Sequence, residues 1–225
     1  MSQAASSDAT APYLLRIDCS PIRDFMPSKS RETGDEFVHA YKASHPDHEV
    51  RVRDLSNNQV AHLDGEGLVA AFSPEEMRSE AGRAKLQIRL DLIREISNAH
   101  SVLITMPMWN WNVPGSFKSY VDQIIIPGVF DVANNKKLSG KKVTVIISAG
   151  GHYEKEQQRD GWDFCSKYVN HIVTVCGCTD SLIIMRQYNN AGFPGMGMED
   201  QKFIDLKAND AAEASAKAIA RASSI

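Results

Sequence analysis

No stretch of this 225-residue chain offers the roughly 20 consecutive apolar residues that a membrane-spanning helix needs. A basic segment followed by an apolar one, the mark of a secretory signal, is also missing from the N-terminus, so a soluble cytoplasmic protein is expected. Residues 1–12 contain no arginine, which argues against a mitochondrial transit peptide and leaves a disordered tail before a single domain spanning 13–225. Basic charge is in deficit too: 25 Lys and Arg against 28 Asp and Glu leave a net charge of −3, and no Lys/Arg stripe tracks a phosphate backbone. Nucleic-acid binding is thereby disfavoured. Cysteine is scarce, and Cys19, Cys165, Cys176 and Cys178 fit neither a disulfide framework nor zinc-ligand spacing, because one residue separates the last two. They are expected to be buried reduced thiols, with no metal site.

What is present is alternation. Short apolar strands are expected at Tyr13–Cys19, Glu49–Arg53, Ser101–Met106, Lys142–Ser148 and Ser181–Arg186, and amphipathic helices at Ser30–Ser44, Pro74–Asn98, Pro114–Ile126, Gln157–Cys176 and Asp205–Ser223. Right-handed crossovers then give an α/β architecture of five parallel strands with helices on both faces. Ser73-Pro74-Glu75-Glu76 combines an N-cap, a first-turn proline and a capping-box Glu, so it marks the start of the long helix. The stretch from Leu55 to Phe72, with two glycines in Asp64-Gly65-Glu66-Gly67, reads as a long excursion that helps form a partner interface.

Ligands bind such sheets at the carboxyl ends of the strands, so the loops there carry the functional argument. The first loop, Asp18 to Ser30, has no glycine and therefore neither GxGxxG nor GxxxxGK[ST]; dinucleotide-first and P-loop readings fail. It is rich in hydroxyls instead. Ser20, Ser28 and Ser30 stand where helix N–H groups favour a phosphate, with Lys29 available as a charge, although a serine there also serves as a plain helix cap. The second loop, Pro107-Met108-Trp109-Asn110-Trp111-Asn112, brings two indoles and two amides to the end of the third strand, which suits a flat, partly polar aromatic ring such as a flavin. In the third, Ser148-Ala149-Gly150-Gly151-His152-Tyr153, paired glycines let backbone approach a ligand, and His152 and Tyr153 are candidate donors to a substrate carbonyl. An ordinary turn with a solvated His and a half-buried Tyr is the plainer reading. The Gly192–Met198 stretch is read as a surface turn, with an overhang above the ligand as the alternative.

Taken in order, these segments resemble the FMN-dependent NADH azoreductases and related flavodoxin-like NAD(P)H:quinone oxidoreductases. The resemblance runs from about Leu14 to Asp180. It also takes in Arg53-Asp54-Leu55, Leu63-Asp64-Gly65-Glu66, Phe117-Lys118-Ser119-Tyr120-Val121-Asp122, Pro127-Gly128-Val129-Phe130 and Leu138-Ser139-Gly140-Lys141-Lys142. It implies a flavodoxin-like sheet of order 2-1-3-4-5, one FMN per subunit, NADH or NADPH as reductant, and a homodimer with active sites at the interface. Ser20, Ser28, Lys29 and Ser30 would then hold the FMN phosphate; Pro107, Met108, Trp109, Asn110 and Trp111 would contact the ribityl chain and ring; Ser148, Gly150 and Gly151 would complete the site. Phe130, His152 and Tyr153 would face the substrate, a small aromatic electron acceptor.

Four departures from the family stand out. Trp109 and Trp111 replace the frequent Tyr and Phe, Ala149 replaces a frequent Arg, Tyr153 occupies the position of the substrate-side His of some members, and Phe25 to Pro27 is a local insertion. The implied chemistry is hydride transfer from NAD(P)H to the flavin, then to a quinone, an azo compound or a nitroaromatic that takes the same place. The alternative is a flavodoxin-like electron carrier or redox sensor, but its usual strongly acidic docking face is not supplied by a net charge of −3. A serine hydrolase is set aside because no Gly-x-Ser-x-Gly elbow occurs.

Overall fold

The computed structural model describes residues 11–22, 27–131, 133, 136–153 and 159–225. Most of the predicted N-terminal tail, the Arg23–Met26 part of the first loop and the predicted helix start at Gln157 lie outside these residues. The elements run β1 (Tyr13–Asp18), α1 (Lys29–Ser44), β2 (Glu49–Asp54), α2 (Gly65–Phe72), a 3-10 turn (Glu75–Met77), α3 (Glu80–Asn98), β3 (Ser101–Pro107), α4 (Gly115–Ile124), β4 (Lys142–Ser148), α5 (Phe164–Val175), β5 (Asp180–Arg186) and α6 (Gln201–Ser223). All four strand pairings are parallel and the sheet order is β2-β1-β3-β4-β5, the flavodoxin-like order that the resemblance implied.

Each central strand is buried on both faces, which explains its unbroken apolar sequence. Tyr13, Leu15 and Ile17, with Val102, Ile104, Val143, Val145 and Ile147, pack against Leu92, Ile96, Phe117, Tyr120 and Val169 from α3, α4 and α5. The intervening residues Leu14, Leu103, Ile146 and Ile184 face Phe37 and Tyr41 of α1 and the Ala214, Ala218 and Ala222 stripe of α6. Gly34 lets α1 lie close to the sheet: a Cβ there would be 2.7 Å from Thr105 Cγ2.

Several predicted boundaries change. The long helix starts at Glu80 rather than Pro74, because Ser73 closes the preceding helix by donating its hydroxyl to Val69 O (2.9 Å), and Ser79 is the true cap, accepting from Gly82 N at 2.9 Å. Part of the predicted excursion is α2, whose N-cap Asp64 accepts from Gly67 N at 2.8 Å; the two glycines sit in the first turn instead of breaking the helix. α5 starts at Phe164, capped by Asp163 through Ser166 N at 2.8 Å, and α6 begins at Gln201, ahead of the expected Asp205.

Candidate active site

Strand register brings the three loops together. Asp18 pairs with Thr105 across β1 and β3, Pro107 with Ser148 across β3 and β4, and Met108 N donates to Ser148 O at 2.7 Å. The loops after β1, β3 and β4 therefore leave one carboxyl edge, at the point where the strand order reverses.

The first loop is held from beneath by a buried charge network. Asp18, 2% exposed, accepts from Arg16 Nε (2.8 Å), Arg31 Nη1 (2.7 Å) and Thr105 Oγ1 (2.6 Å). Arg31 also pairs with Asp54 at 3.0 Å and donates from Nε to the carbonyl of Ser20 at 3.1 Å, which fixes the loop's first turn. Ser20, Ser28 and Ser30 are all buried at this edge. Ser28 is the N-cap residue of α1, yet its side chain caps no N–H; its hydroxyl lies 3.4 Å from that of Ser30. A plain cap would have used that oxygen. Two hydroxyls therefore remain beside a helix N-terminus whose first N–H groups have no intrahelical acceptor, a donor set that fits a phosphate. Lys29 departs from expectation: its ammonium donates to both oxygens of Glu32, at 2.9 and 3.1 Å, so its charge is spent within α1 and is not free for that phosphate.

The second loop is a two-residue hairpin. Trp109 and Asn112 exchange both backbone hydrogen bonds at 3.0 Å, and the central residues Asn110 and Trp111 take φ values of 48° and 65°, a type I′ turn. Asn tolerates that region; Trp does so at a cost, offset by contacts. Trp111 O accepts from Phe164 N at 3.0 Å, and its ring meets Trp162 edge-on, 5.5 Å between centroids. Pro107 and Met108 are buried below the turn, whereas Trp109 and Trp111 are each 44% exposed and the Asn110 amide has no partner among the described residues.

In the third loop the paired glycines leave room for two side-chain ends that the sequence did not reveal. A Cβ on Gly150 would meet Asn190 Nδ2 at 2.4 Å, and one on Gly151 would meet Arg159 Nη1 at 2.1 Å. Their carbonyls accept from Asn190 N and Tyr188 N at 3.0 Å, and their own N–H groups, with that of His152, meet no acceptor among the described residues. Ser148 is partly exposed at the strand end. His152 and Tyr153 diverge. The His152 ring stacks on Tyr188 (5.0 Å) and reaches Phe203, while the Tyr153 hydroxyl lies 3.5 Å from the Cβ position of Gly151. Phe130 is a correction: its ring is completely buried in the core, where Phe130 N and O bridge to Ile126, so it presents nothing to a substrate. The Gly192–Met198 stretch forms a closed turn, with Gly192 N donating to Met198 O at 3.0 Å and Glu199 accepting from Met196 N at 2.9 Å.

A cleft of about 370 Å³ opens beside Trp109, between Cys19 and Pro21 on one wall and the start of α4 on the other. Its floor includes His62, whose Nδ1 pairs with the Ser119 hydroxyl at 2.8 Å. Neither was proposed as a site residue from the sequence, where they lie 57 residues apart; the hints were that His62 falls within the excursion and Ser119 within the Phe117–Asp122 motif. Arg89 was missed as well; this buried arginine donates to the carbonyls of Gln123 (2.9 Å), Asp122 (3.2 Å) and Gly67 (3.1 Å), tying α4 to α2. Burial, reinforced by Asp18, pushes the Cys19 thiol well up, and burial pushes Cys165 up to about 12, so neither is a nucleophile at neutral pH. The remaining cysteines are free and buried, as expected. Among the described residues no cluster could hold a metal ion and no helix is long and apolar enough to cross a membrane.

A sequence model of the flavodoxin-like fold matches residues 13–224. The FMN-dependent NADH:quinone oxidoreductase of Frankia casuarinae is 36% identical over 215 residues, covering 94% of this chain and 99% of the relative. The FMN-dependent NADH:quinone oxidoreductase 2 of Trichormus variabilis is 35% identical over 212 residues, covering 92% and 98%. Among solved structures, an azoreductase from Bacillus anthracis superposes with a TM-score of 0.81 over 95% of this chain and 100% of that one, at 17% identity. An FMN-dependent NADH-azoreductase from the same species, solved in complex with FMN, gives 0.77 over 93% and 99%, at 18% identity; at these identities both speak to the fold. With the match extending along nearly its whole length, the chain belongs to the flavodoxin-like family that includes the FMN-dependent NADH:quinone oxidoreductases.

Proposed function

We propose that this chain is an FMN-dependent NAD(P)H oxidoreductase that reduces quinones, and azo or nitroaromatic compounds, with reductant and acceptor occupying one site in turn. The observation that carries this reading is the convergence, at one carboxyl edge, of serine hydroxyls that cap no helix N–H, an exposed indole turn and a glycine pair whose N–H groups meet no acceptor among the described residues. FMN, when bound, supplies the capacity to accept a hydride and pass it on. Ser20, Ser28 and Ser30 hold its phosphate. Pro107 and Met108 form the base under the ribityl chain, Asn110 offers its unpaired amide, and Trp109 and Trp111 border the slot for a flat substrate. Ser148 and the N–H groups of Gly150 and Gly151 complete the site and favour negative charge at the ring edge. Tyr153, beside Gly151, is the better placed of the two substrate-side candidates, since His152 is committed to its stack on Tyr188.

The relatives' names support the same reading: both are called FMN-dependent NADH:quinone oxidoreductases. The chain acts in this reading as a cytoplasmic homodimer of single-domain subunits, the second copy closing the open side of the Trp109 cleft. The purified protein should be yellow, release FMN on denaturation and sediment as a dimer. NAD(P)H oxidation should accelerate with benzoquinones and give parallel lines when both substrates are varied. Intersecting lines would replace alternate occupancy by a ternary complex. Bound FMN without turnover of any quinone, azo dye or nitroaromatic would favour the electron carrier instead.

A further inference from the structure

A second groove, of about 470 Å³, lies behind the serine loop, between the start of α1, the end of β5 and the first turns of α6. Its polar wall is made of three cations, Lys29, Arg186 and Lys207. One carboxylate, Glu32, partners two of them, lying 3.0 Å from Arg186 Nη1 and bonded to Lys29. Positive charge is left over. The Arg186 Nε is buried and meets no acceptor among the described residues. Among the described residues Lys207 donates to a neutral group alone, the carbonyl of Ala191 at 3.1 Å; burial and the facing charges of Lys29 and Arg186 hold its ammonium below the usual lysine range. A site that gathers three cations around one carboxylate stabilises an incoming anion more than it stabilises the free protein.

The other wall is apolar: Ala208, Ala211, Ile204 and the ring of Phe193, which is 48% exposed and has Lys207 Nζ 5.3 Å from its centroid. Phe193 stands on a turn opened by Gly192 at φ +85°, a conformation that suits glycine and presents the ring at the rim. The volume exceeds what an inorganic anion fills and lies in the range of small-molecule sites. An aromatic face beside a phosphate-sized cluster of cations is the pattern by which a base and its phosphate are held together.

We propose that this groove binds an adenosine phosphate, the adenine resting against Phe193 and the phosphate held by Arg186 and Lys207. Two sources share that chemistry: the adenosine half of the nicotinamide dinucleotide, which rests on the oxidoreductase reading above, or a free adenine nucleotide acting apart from turnover. Calorimetric titration of the FMN-loaded protein with AMP reads the groove itself, without reference to activity. AMP should bind, and Lys207→Ala and Phe193→Ala should each weaken it about tenfold, the loss of one charged contact or one stacked face. Phe193 is an exposed rim residue, so its variant keeps the test valid if the lysine variant is unstable. Steady-state kinetics with NADH and with reduced nicotinamide mononucleotide, which lacks the adenosine, separate the sources. A raised KM for NADH in both variants, with no change for the mononucleotide, assigns the groove to the reductant. Weaker AMP binding with an unchanged KM for NADH assigns it to a free nucleotide. AMP binding without any quinone reduction would sink the oxidoreductase reading and leave the groove standing. If wild type takes up no AMP at millimolar concentration, or if both variants bind it as wild type does, the proposal is wrong.

Discussion

Replacing Asp18 by asparagine strikes the support of the serine loop without touching its hydroxyls. The carboxylate receives three donors, from Arg16, Arg31 and Thr105, and is almost wholly buried. Asparagine keeps the shape, loses the charge and turns one acceptor into a donor facing an arginine. Breaking a buried ion pair from one side costs about 3–5 kcal/mol. Here each arginine keeps a second carboxylate, Asp35 for Arg16 and Asp54 for Arg31, so the low end, about 3 kcal/mol, is expected. At about 2–4 °C per kcal/mol for a chain of this length, the melting temperature should fall by about 6–12 °C. Arg31 also carries the Ser20 carbonyl, so its release should loosen the loop and weaken FMN by about tenfold, or about 1.4 kcal/mol. Thr105→Val is the control: it removes one hydrogen bond to the same carboxylate, worth about 1.5–3 kcal/mol, and leaves Arg31 in place. It should lower the melting temperature less and leave FMN affinity unchanged. Thermal unfolding of the apoprotein and flavin-fluorescence titration measure the two quantities. An Asp18→Asn protein that melts with wild type, or a Thr105→Val protein that loses FMN affinity equally, would refute the argument that Arg31 transmits the effect.

At the exposed turn, where Asn110 holds φ 48°, Asn110→Ala should cost about 1 kcal/mol of stability through its left-handed backbone and weaken FMN by about 1–3 kcal/mol per folded molecule, whereas Trp109→Ala should shift acceptor preference more than FMN retention; loss of stability at normal FMN affinity in both variants would make the turn scaffolding. At the opposite edge of the sheet, His48 and His100 stand 4.7 Å apart around the Tyr41 hydroxyl. Burial first, then neighbouring His45 and Lys42, holds His48 below its ordinary 6.5; burial, then His48, His45, Lys141 and Lys142, does the same for His100. The fold thus disfavours their protonation while the unfolded chain accepts protons near pH 6.5, so the stability linked to them is complete above that pH and is lost as pH falls through the folded-state values. Melting temperatures from pH 7.5 to 5 should decline less steeply in His100→Gln than in wild type; equal slopes would remove the imidazoles from the account.

Legibility followed sequence distance. The central strands announced themselves because both faces are covered and every residue is apolar or pairs in the core, and the loops of the candidate site were legible as the residues following each strand. α2 was hidden because Gly65 and Gly67 look like a turn until Asp64 is seen to cap them. Pro74 misled in the opposite sense, since a proline that opens many helices here follows the close of one. At the site, the pairing of Lys29 with Glu32 three residues on was readable locally and overlooked. His62 with Ser119, Arg89 beneath α4 and Arg31 beneath Ser20 arise from tertiary contacts that no short motif encodes. Phe130 was placed by motif position, which says nothing about which way a ring points.

The left-handed turn at Asn110 and Trp111 has a consequence for how substrate range can change. Its unfavourable backbone angles are met during folding, because the Trp109–Asn112 bonds, the Phe164 N–H and the Trp162 ring already fix them. In the function proposed above, binding then forfeits little loop entropy, and the rim is preorganised rather than moulded by its ligand. Trp111 is anchored through both carbonyl and ring, whereas Trp109 contributes its backbone to the hairpin and its side chain to the cleft wall. Substitutions that widen or narrow the slot can therefore accumulate at Trp109 with the hairpin intact, while any change at Trp111 alters the seat of α5 and the rim together.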